Sequence, residues 1–291
     1  MLKPSGKAIP KTLNQPEEII IERGRAARHY WMDLWRYREL FAILAWRDIS
    51  VRYKQTVLGV LWAILPPFLT MIIMTVIFAK VAGLPSQGSA PYAIMVFAGM
   101  LPWQLFANAL GSSGNSLVGN AHLISKVYFP RLIVPGAAIA VSLVDFVISL
   151  AILAVLLAWY QFLPSLQILS LPFFLVLALL AALGPGLLLT ALNVTYRDFR
   201  FIVPFITQLG LYLSPVGFSA EVVREKIGGT FYLLYALNPM VGVIEGFRWC
   251  ILGQSPFPTL ELGLSLVTTT LFLWIGIRVF RSTEKNFADI I

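Results

Sequence analysis

An all-α membrane protein with six transmembrane helices is the fold class this sequence predicts, and three observations predict it. The chain is 58% hydrophobic and only 12% charged, with a mean hydropathy of +0.79, whereas soluble domains carry about 25% charged residues. Its apolar residues fall in continuous runs close to the roughly 20 residues that cross a bilayer as helix. The runs lack the alternation of a membrane barrel strand, and lipid admits only helices or closed barrels.

The six spans are expected near 58–81, 93–110, 132–159, 171–192, 202–219 and 260–280. The first is roughly 36 Å long as helix, enough to cross with tilt. Pro66-Pro67 is expected to kink it, and Gly184-Pro185-Gly186 to do the same in the fourth span. Residues 220–259 do not read as a seventh crossing. Asn238-Pro239 breaks the apolar run, and Glu245 and Arg248 interrupt it with charge. Short helices dipping in from the outer side and returning fit better, with Glu245 and Arg248 paired across one helical turn.

Lysine and arginine set the orientation. Eighteen of the 22 lie in 1–57, the second-to-third and fourth-to-fifth loops and the tail, against four (Lys80, Arg224, Lys226, Arg248) on the other side. Both termini are therefore expected in the cytoplasm, with 281–291 as a cytoplasmic tail. Residues 1–29, with prolines among charges and no apolar core of a secretory signal, are expected to be flexible.

From Tyr30 the pattern turns helical. Tyr30, Leu34, Tyr37, Phe41 and Leu44 recur on one face, flanked by Trp31, Trp35 and Trp46. Residues 30–57 thus read as an amphipathic interface helix, with rings at headgroup level and basic residues on phosphates. Periodicity does not distinguish a membrane anchor from a docking surface for a soluble partner.

The loop stretch HLISKVYFPR, residues 122–131, is the most specific-looking polar insert. Asn120 is placed to cap a short helix over Ala121–Tyr128, and Pro130 to end it with Phe129 extended. Ala121, Ile124 and Tyr128 would share one face, His122 and Lys126 another. Such a helix suits a partner's cleft; an ordinary interfacial loop fits the same residues.

Several chemistries find no support. There is no GxxxxGK[ST] phosphate loop, no HExxH and no CxxC. His29 and His122 are too few and too far apart for a metal site, and Cys250 is a single cysteine. A transferase or phosphatase acting on lipid-linked sugars would need an acidic cluster for metal and phosphate. Asp145, mid-span, is one carboxylate where a proton-coupled flippase would need several; it reads as a paired or hydrated group. The net charge of +8 is membrane topology rather than nucleic-acid binding.

Four ordered blocks carry a family resemblance: WRDISVRYKQTVLGVLWAILPP (46–67), NAHLISKVYFPR (120–131), LNVTYRDFRFIVPFITQLGLYLSPVGF (192–218) and LNPMVGVIEGFRWCILG (237–253). Over about residues 30–280 the chain resembles the membrane subunits of type-2 ABC polysaccharide exporters. It is most similar to O-antigen export permeases, with teichoic-acid and capsule permeases as near relatives and type-2 drug exporters as competitors.

The resemblance implies a bacterial inner-membrane transport subunit, not an enzyme. It would pair with a second copy and with two ATPase subunits holding ATP and Mg, and carry polysaccharide on polyprenyl diphosphate. It implies a coupling helix in 120–131, with Asn120, His122, Ile124, Ser125, Lys126, Tyr128, Phe129, Pro130 and Arg131 as its residues. It makes 30–54 an interface helix, ending in Trp46, Arg47, Asp48, Arg52, Tyr53 and Lys54 at the cytoplasmic mouth. Arg47, Arg52 and Lys54 there either attract the diphosphate or are ordinary positive-inside charge. It makes 220–253 outer gate helices, with Asn238, Pro239, Glu245 and Arg248. Trp62, Trp103, Phe106, Tyr212, Tyr232 and Tyr235 would offer sliding faces to sugar rings, or else pack as ordinary membrane aromatics.

Overall fold

In a computed structural model, residues 30–54, 59–196, 198–253 and 256–287 are described. The expected flexible segment 1–29 lies outside them. The regular structure of the described residues is all helical, without strands. Five helical stretches are long and apolar enough to cross a membrane: Ile64–Val81, Tyr92–Gly119, Ile133–Trp159, Leu166–Thr195 and Thr259–Thr283.

The chain enters through α1 (Tyr30–Arg36) and α2 (Arg38–Lys54), separated only by a turn at Tyr37. The first crossing is α3 (Gly59–Thr75), which continues into a π-helical turn over Val76–Val81. The helix runs through Pro66 and Pro67 unbroken. Thr70 Oγ1 donates back to the Pro66 carbonyl four residues earlier at 2.8 Å, which satisfies the hydroxyl inside the helix.

The long helix α4 (Tyr92–Gly119) is the axis of the bundle, packed by α3, α6, α7, α8 and α11. The loop helix α5 (Ala121–Lys126) leads to α6 (Ile133–Trp159), then α7 (Leu171–Thr195). No break occurs at Gly184-Pro185-Gly186. Instead Gly184 and Gly276 let two helices touch. A Cβ on Gly184 would come within 2.6 Å of the Leu273 nitrogen, and one on Gly276 would strike the Gly184 carbonyl. Small residues admit this close approach between membrane helices, here α7 against α12 (Thr259–Thr283).

The expected span 202–219 is shorter than predicted. It forms α8 (Phe199–Leu213), 15 residues and about 22 Å long, below the roughly 30 Å of the hydrocarbon core. Its end has a local cause. Ser214 is extended, with φ −102° and ψ 153°, the geometry forced on the residue before a proline, here Pro215.

At the other end of the bundle, where α12 begins, lie α9 (Ala220–Ile227), α10 (Gly229–Ala236) and α11 (Pro239–Leu252). Asn238 caps α11, its side chain accepting from the Met240 N–H at 3.0 Å, and Gly253 closes it at φ +67°. α11 is among the most buried elements, packed on α4, α7 and α12.

Candidate functional site

Among the described residues, three groups built around charged side chains stand out in this apolar bundle. The first is at the end where α1 begins and α12 finishes. Here α5 is a helix of only six residues, ending at Lys126 rather than Tyr128. Asn120 does not cap it. Its Nδ2 donates back to the Ser116 carbonyl at 2.8 Å, and its Oδ1 accepts from Arg47 Nη2 at 2.7 Å. The chain turns extended at Val127 (φ −126°, ψ 134°), three residues ahead of Pro130.

The faces of the insert also differ from the helical wheel. Ile124 and Phe129 bury, Phe129 to 4% exposure, while Tyr128 stays 54% exposed. Extended backbone after Lys126 alternates the side chains, which carries Tyr128 outward and Phe129 inward. His122, Ser125, Lys126, Val127 and Tyr128 thus form one exposed surface, beneath which Ile124 and Phe129 join a cluster with Leu44, Ile133 and Phe280. Pro130 is buried.

Arg47 binds Asp48 at 2.7 Å with the same Nη2 that reaches Asn120, so α2 and the start of α5 are joined directly. Trp46 and Lys54 are exposed. Arg131 reaches the other way. Its backbone N–H donates to Glu284 Oε1 at 2.9 Å, and its guanidinium to the Glu284 carbonyl. Tyr30 donates to the same Oε1 at 3.2 Å. Burial pushes the Glu284 carboxyl above its usual range, against the pull of the Arg131 and Tyr30 hydrogen bonds. The Tyr30 hydroxyl is raised by burial first and by the Glu284 charge second.

The second group surrounds Asp145, in the middle of α6. Phe41 of α2 lies over Gly136, while Arg52 and Tyr53 reach Asp145. So α2 runs beside α6 in the same direction, to a level about 18 Å from the start of α6. Arg52 Nη2 is 2.9 Å from Asp145 Oδ2, with side chains 45% and 10% exposed. Tyr53 donates to Oδ1, and Asn108 Nδ2 to Oδ2 at 3.3 Å. A carboxylate at this depth is tolerated when paired in this way.

These residues edge a cavity of about 340 Å³ between α3, α4, α6 and α8. Its polar wall is Arg52, Gln104, Asn108, Asp145, Thr207 and Gln208, and its apolar wall includes Pro66, Pro67 and Trp103. Of the five proposed channel aromatics whose side chains are described, Trp103 alone lines it. Phe106 stacks on Trp103 at 5.4 Å in the core. Tyr212 is exposed on α8, and Tyr232 and Tyr235 belong to α10. The side chain of Trp62 lies outside the described residues. Gln104 and Asn108 were missed as site residues, although a four-residue spacing of amides inside an apolar span was a readable signal.

The third group is at the far end. Arg248 is 0% exposed. It donates to Glu245 Oε1 at 3.1 Å and to the carbonyls of Met95 (3.2 Å), Val216 (2.7 Å) and Phe218 (2.7 Å). Glu245 also accepts from the Ala220 N–H at 2.8 Å and from Gln87 Nε2 at 2.9 Å. Asn238 Nδ2 donates to Ser214 Oγ at 2.9 Å beside Pro239, and Tyr232 donates to Glu261. One ion pair therefore fastens α11 to α4, to the loop before α4 at Gln87 and to the segment between α8 and α9. No cluster of potential metal ligands occurs among the described residues.

Comparison with known proteins gives consistent results. The family model described as "ABC-2 type transporter" matches residues 39–252. The chain is 29% identical over 261 residues to the O-antigen export system permease protein RfbA of Myxococcus xanthus, covering 89% of this chain and 98% of that protein. It is 26% identical over 254 residues to RfbA of Klebsiella pneumoniae, covering 87% and 95%. The polysialic acid transport protein KpsM of Escherichia coli is 24% identical over 244 residues, covering 82% and 91%.

Proposed function

Since the chain belongs to the ABC-2 type transporter family, we propose that it is the permease subunit of an ATP-driven polysaccharide exporter. Its polymer is the O-antigen of lipopolysaccharide, carried across the bacterial inner membrane on polyprenyl diphosphate. The names of the Myxococcus and Klebsiella relatives support that substrate. Both termini and α5 face the cytoplasm, a reading supported by the distribution of lysine and arginine.

The chain supplies the path and not the energy. Two ATPase subunits, holding ATP and Mg, dock on the exposed surface of α5 beside α2. The short bridge from Arg47 through Asn120 supports a mechanical link between these two elements. α8, at 15 residues shorter than the hydrocarbon core, completes six spans together with the five longer helices, the bilayer thinning locally to match it.

The observation that carries this reading is the polar cavity beside Asp145. An aspartate at helix centre costs about 2.5–3.5 kcal/mol against lipid, and amides beside it add to that cost. Such a wall is stable where it meets water or protein. A second copy against the α3 and α8 side would close it into a hydrated path, covering the exposed Phe205 and Leu209 of α8.

The test is deletion of the chain in its own host. The expected result is loss of surface polymer with lipid-linked polymer retained inside, both reversed by complementation. Normal surface polymer after deletion contradicts the assignment. The KpsM similarity supports one alternative, a capsular polymer, which the same experiment identifies by sugar analysis of the retained chain.

A further inference from the structure

Glu284 lies where three remote parts of the chain meet. Its Oε1 accepts from the Tyr30 hydroxyl at the start of α1 and from the Arg131 N–H just beyond α5, while its own backbone continues from α12. The Arg131 guanidinium donates to the Glu284 carbonyl and lies 5.9 Å from the centre of the Phe287 ring. Arg281 covers the Tyr30 ring at 4.7 Å. Phe287 itself is fully buried, edge-on to Phe280 at 5.4 Å.

Residues past a last span usually fray unless something ties them down. Here they are tied to the downstream end of α5, a helix too short to hold itself. A helix of six residues is below the length that sustains its own nucleation, and α5 has no side-chain cap. Of its own residues only Ile124 is buried, with Leu123 partly buried beside it and Phe129 buried after it. Its two ends are therefore set by polar anchors: Arg47 on Asn120 before it, and Glu284 on Arg131 after it. The first anchor leads to α2 and the second to α12 and α1.

We propose that Glu284 and Phe287 are positioning residues, a clasp that makes the downstream end of α5 move as one body with α12 and α1. The clasp rests on the reading of α5 as the element driven by the ATPase. Without it, a push on α5 would be absorbed by the extended segment at Val127 instead of reaching the last crossing.

The test uses the full complex of permease and ATPase in sealed proteoliposomes, measuring ATP hydrolysis and export of lipid-linked polymer together. Glu284→Ala and Phe287→Ala should each lower polymer exported per ATP hydrolysed by about fivefold or more, with the ATPase still co-purifying in normal amount. Glu284→Gln should keep most of the ratio, because a neutral amide oxygen still accepts from Tyr30 and Arg131. An unchanged ratio in both alanine variants overturns the clasp. So does a deficit shared equally by Glu284→Gln, or one accounted for by less permease in the membrane. Tyr128→Ala separates the two levels. If it leaves the ratio intact, the reading of α5 has failed; if it lowers the ratio while Glu284→Ala does not, only the clasp has.

Discussion

Arg52 and Asp145 form an ion pair 2.9 Å long between the last turn of α2 and the middle of α6. The pair fixes how far the entry helix extends along the bundle, and it stands at the edge of the polar cavity. Because Asp145 also accepts from Tyr53 and Asn108, it is a junction of three helices rather than an isolated charge.

Removing the two partners should therefore have unequal effects. Asp145→Ala leaves Arg52, Tyr53 and Asn108 without their shared acceptor, whereas Arg52→Ala leaves Asp145 with two donors. The coupling should be about 1 kcal/mol, since the Arg52 side chain is 45% exposed and partly screened. Thermal unfolding of the two single variants and the double variant in detergent measures it. Strict additivity would show that the pair contributes nothing.

Tyr128 and Phe129 are neighbours with opposite tasks. Phe129→Ala should cost about 3 kcal/mol of stability, as a buried aromatic truncated to alanine. Tyr128→Ala should leave stability within about 0.5 kcal/mol but lower export. Melting curves and surface-polymer assays on the separate variants give the comparison, and a stability loss on Tyr128→Ala would contradict the assigned faces.

Arg248 is the fully buried centre of the far end. Arg248→Ala strands Glu245 without its cation and should cost about 3–5 kcal/mol. Arg248→Lys should recover little, because one ammonium cannot reproduce the fork that reaches three carbonyls in different directions. Yield of folded protein and thermal midpoint report both, and near-normal behaviour of the lysine variant would show that charge alone suffices.

Where α7 crosses α12, Gly276→Leu should fail to fold or lose several degrees in midpoint, since its Cβ already meets the Gly184 backbone. Overpacking typically costs about 1–3 kcal/mol. Gly263→Leu, on the same helix with open space around it, is the control expected to be silent.

The crossings were readable because hydropathy acts residue by residue over a long window. Ile133–Trp159 and Thr259–Thr283 fall within a few residues of expectation. Local rules did not locate the helix ends. Pro66-Pro67 and Gly184-Pro185-Gly186 are accommodated inside helices, whereas Pro215, which drew no attention, ends α8 at Leu213. The pairing of Glu245 with Arg248 was visible from spacing, but the carbonyls of Met95, Val216 and Phe218 that complete the site come from remote segments. Asn120 illustrates the same limit. Its composition and position suited a cap, yet Arg47, 73 residues earlier, takes its side-chain oxygen.

The central claim is that this chain is a path driven by a separate ATPase. Its most direct test is polymer movement in sealed proteoliposomes containing the chain alone or with the ATPase subunit. Export of lipid-linked polymer that requires both proteins and ATP is the predicted result. ATP hydrolysis by the chain alone, or polymer movement without the ATPase, would contradict the account.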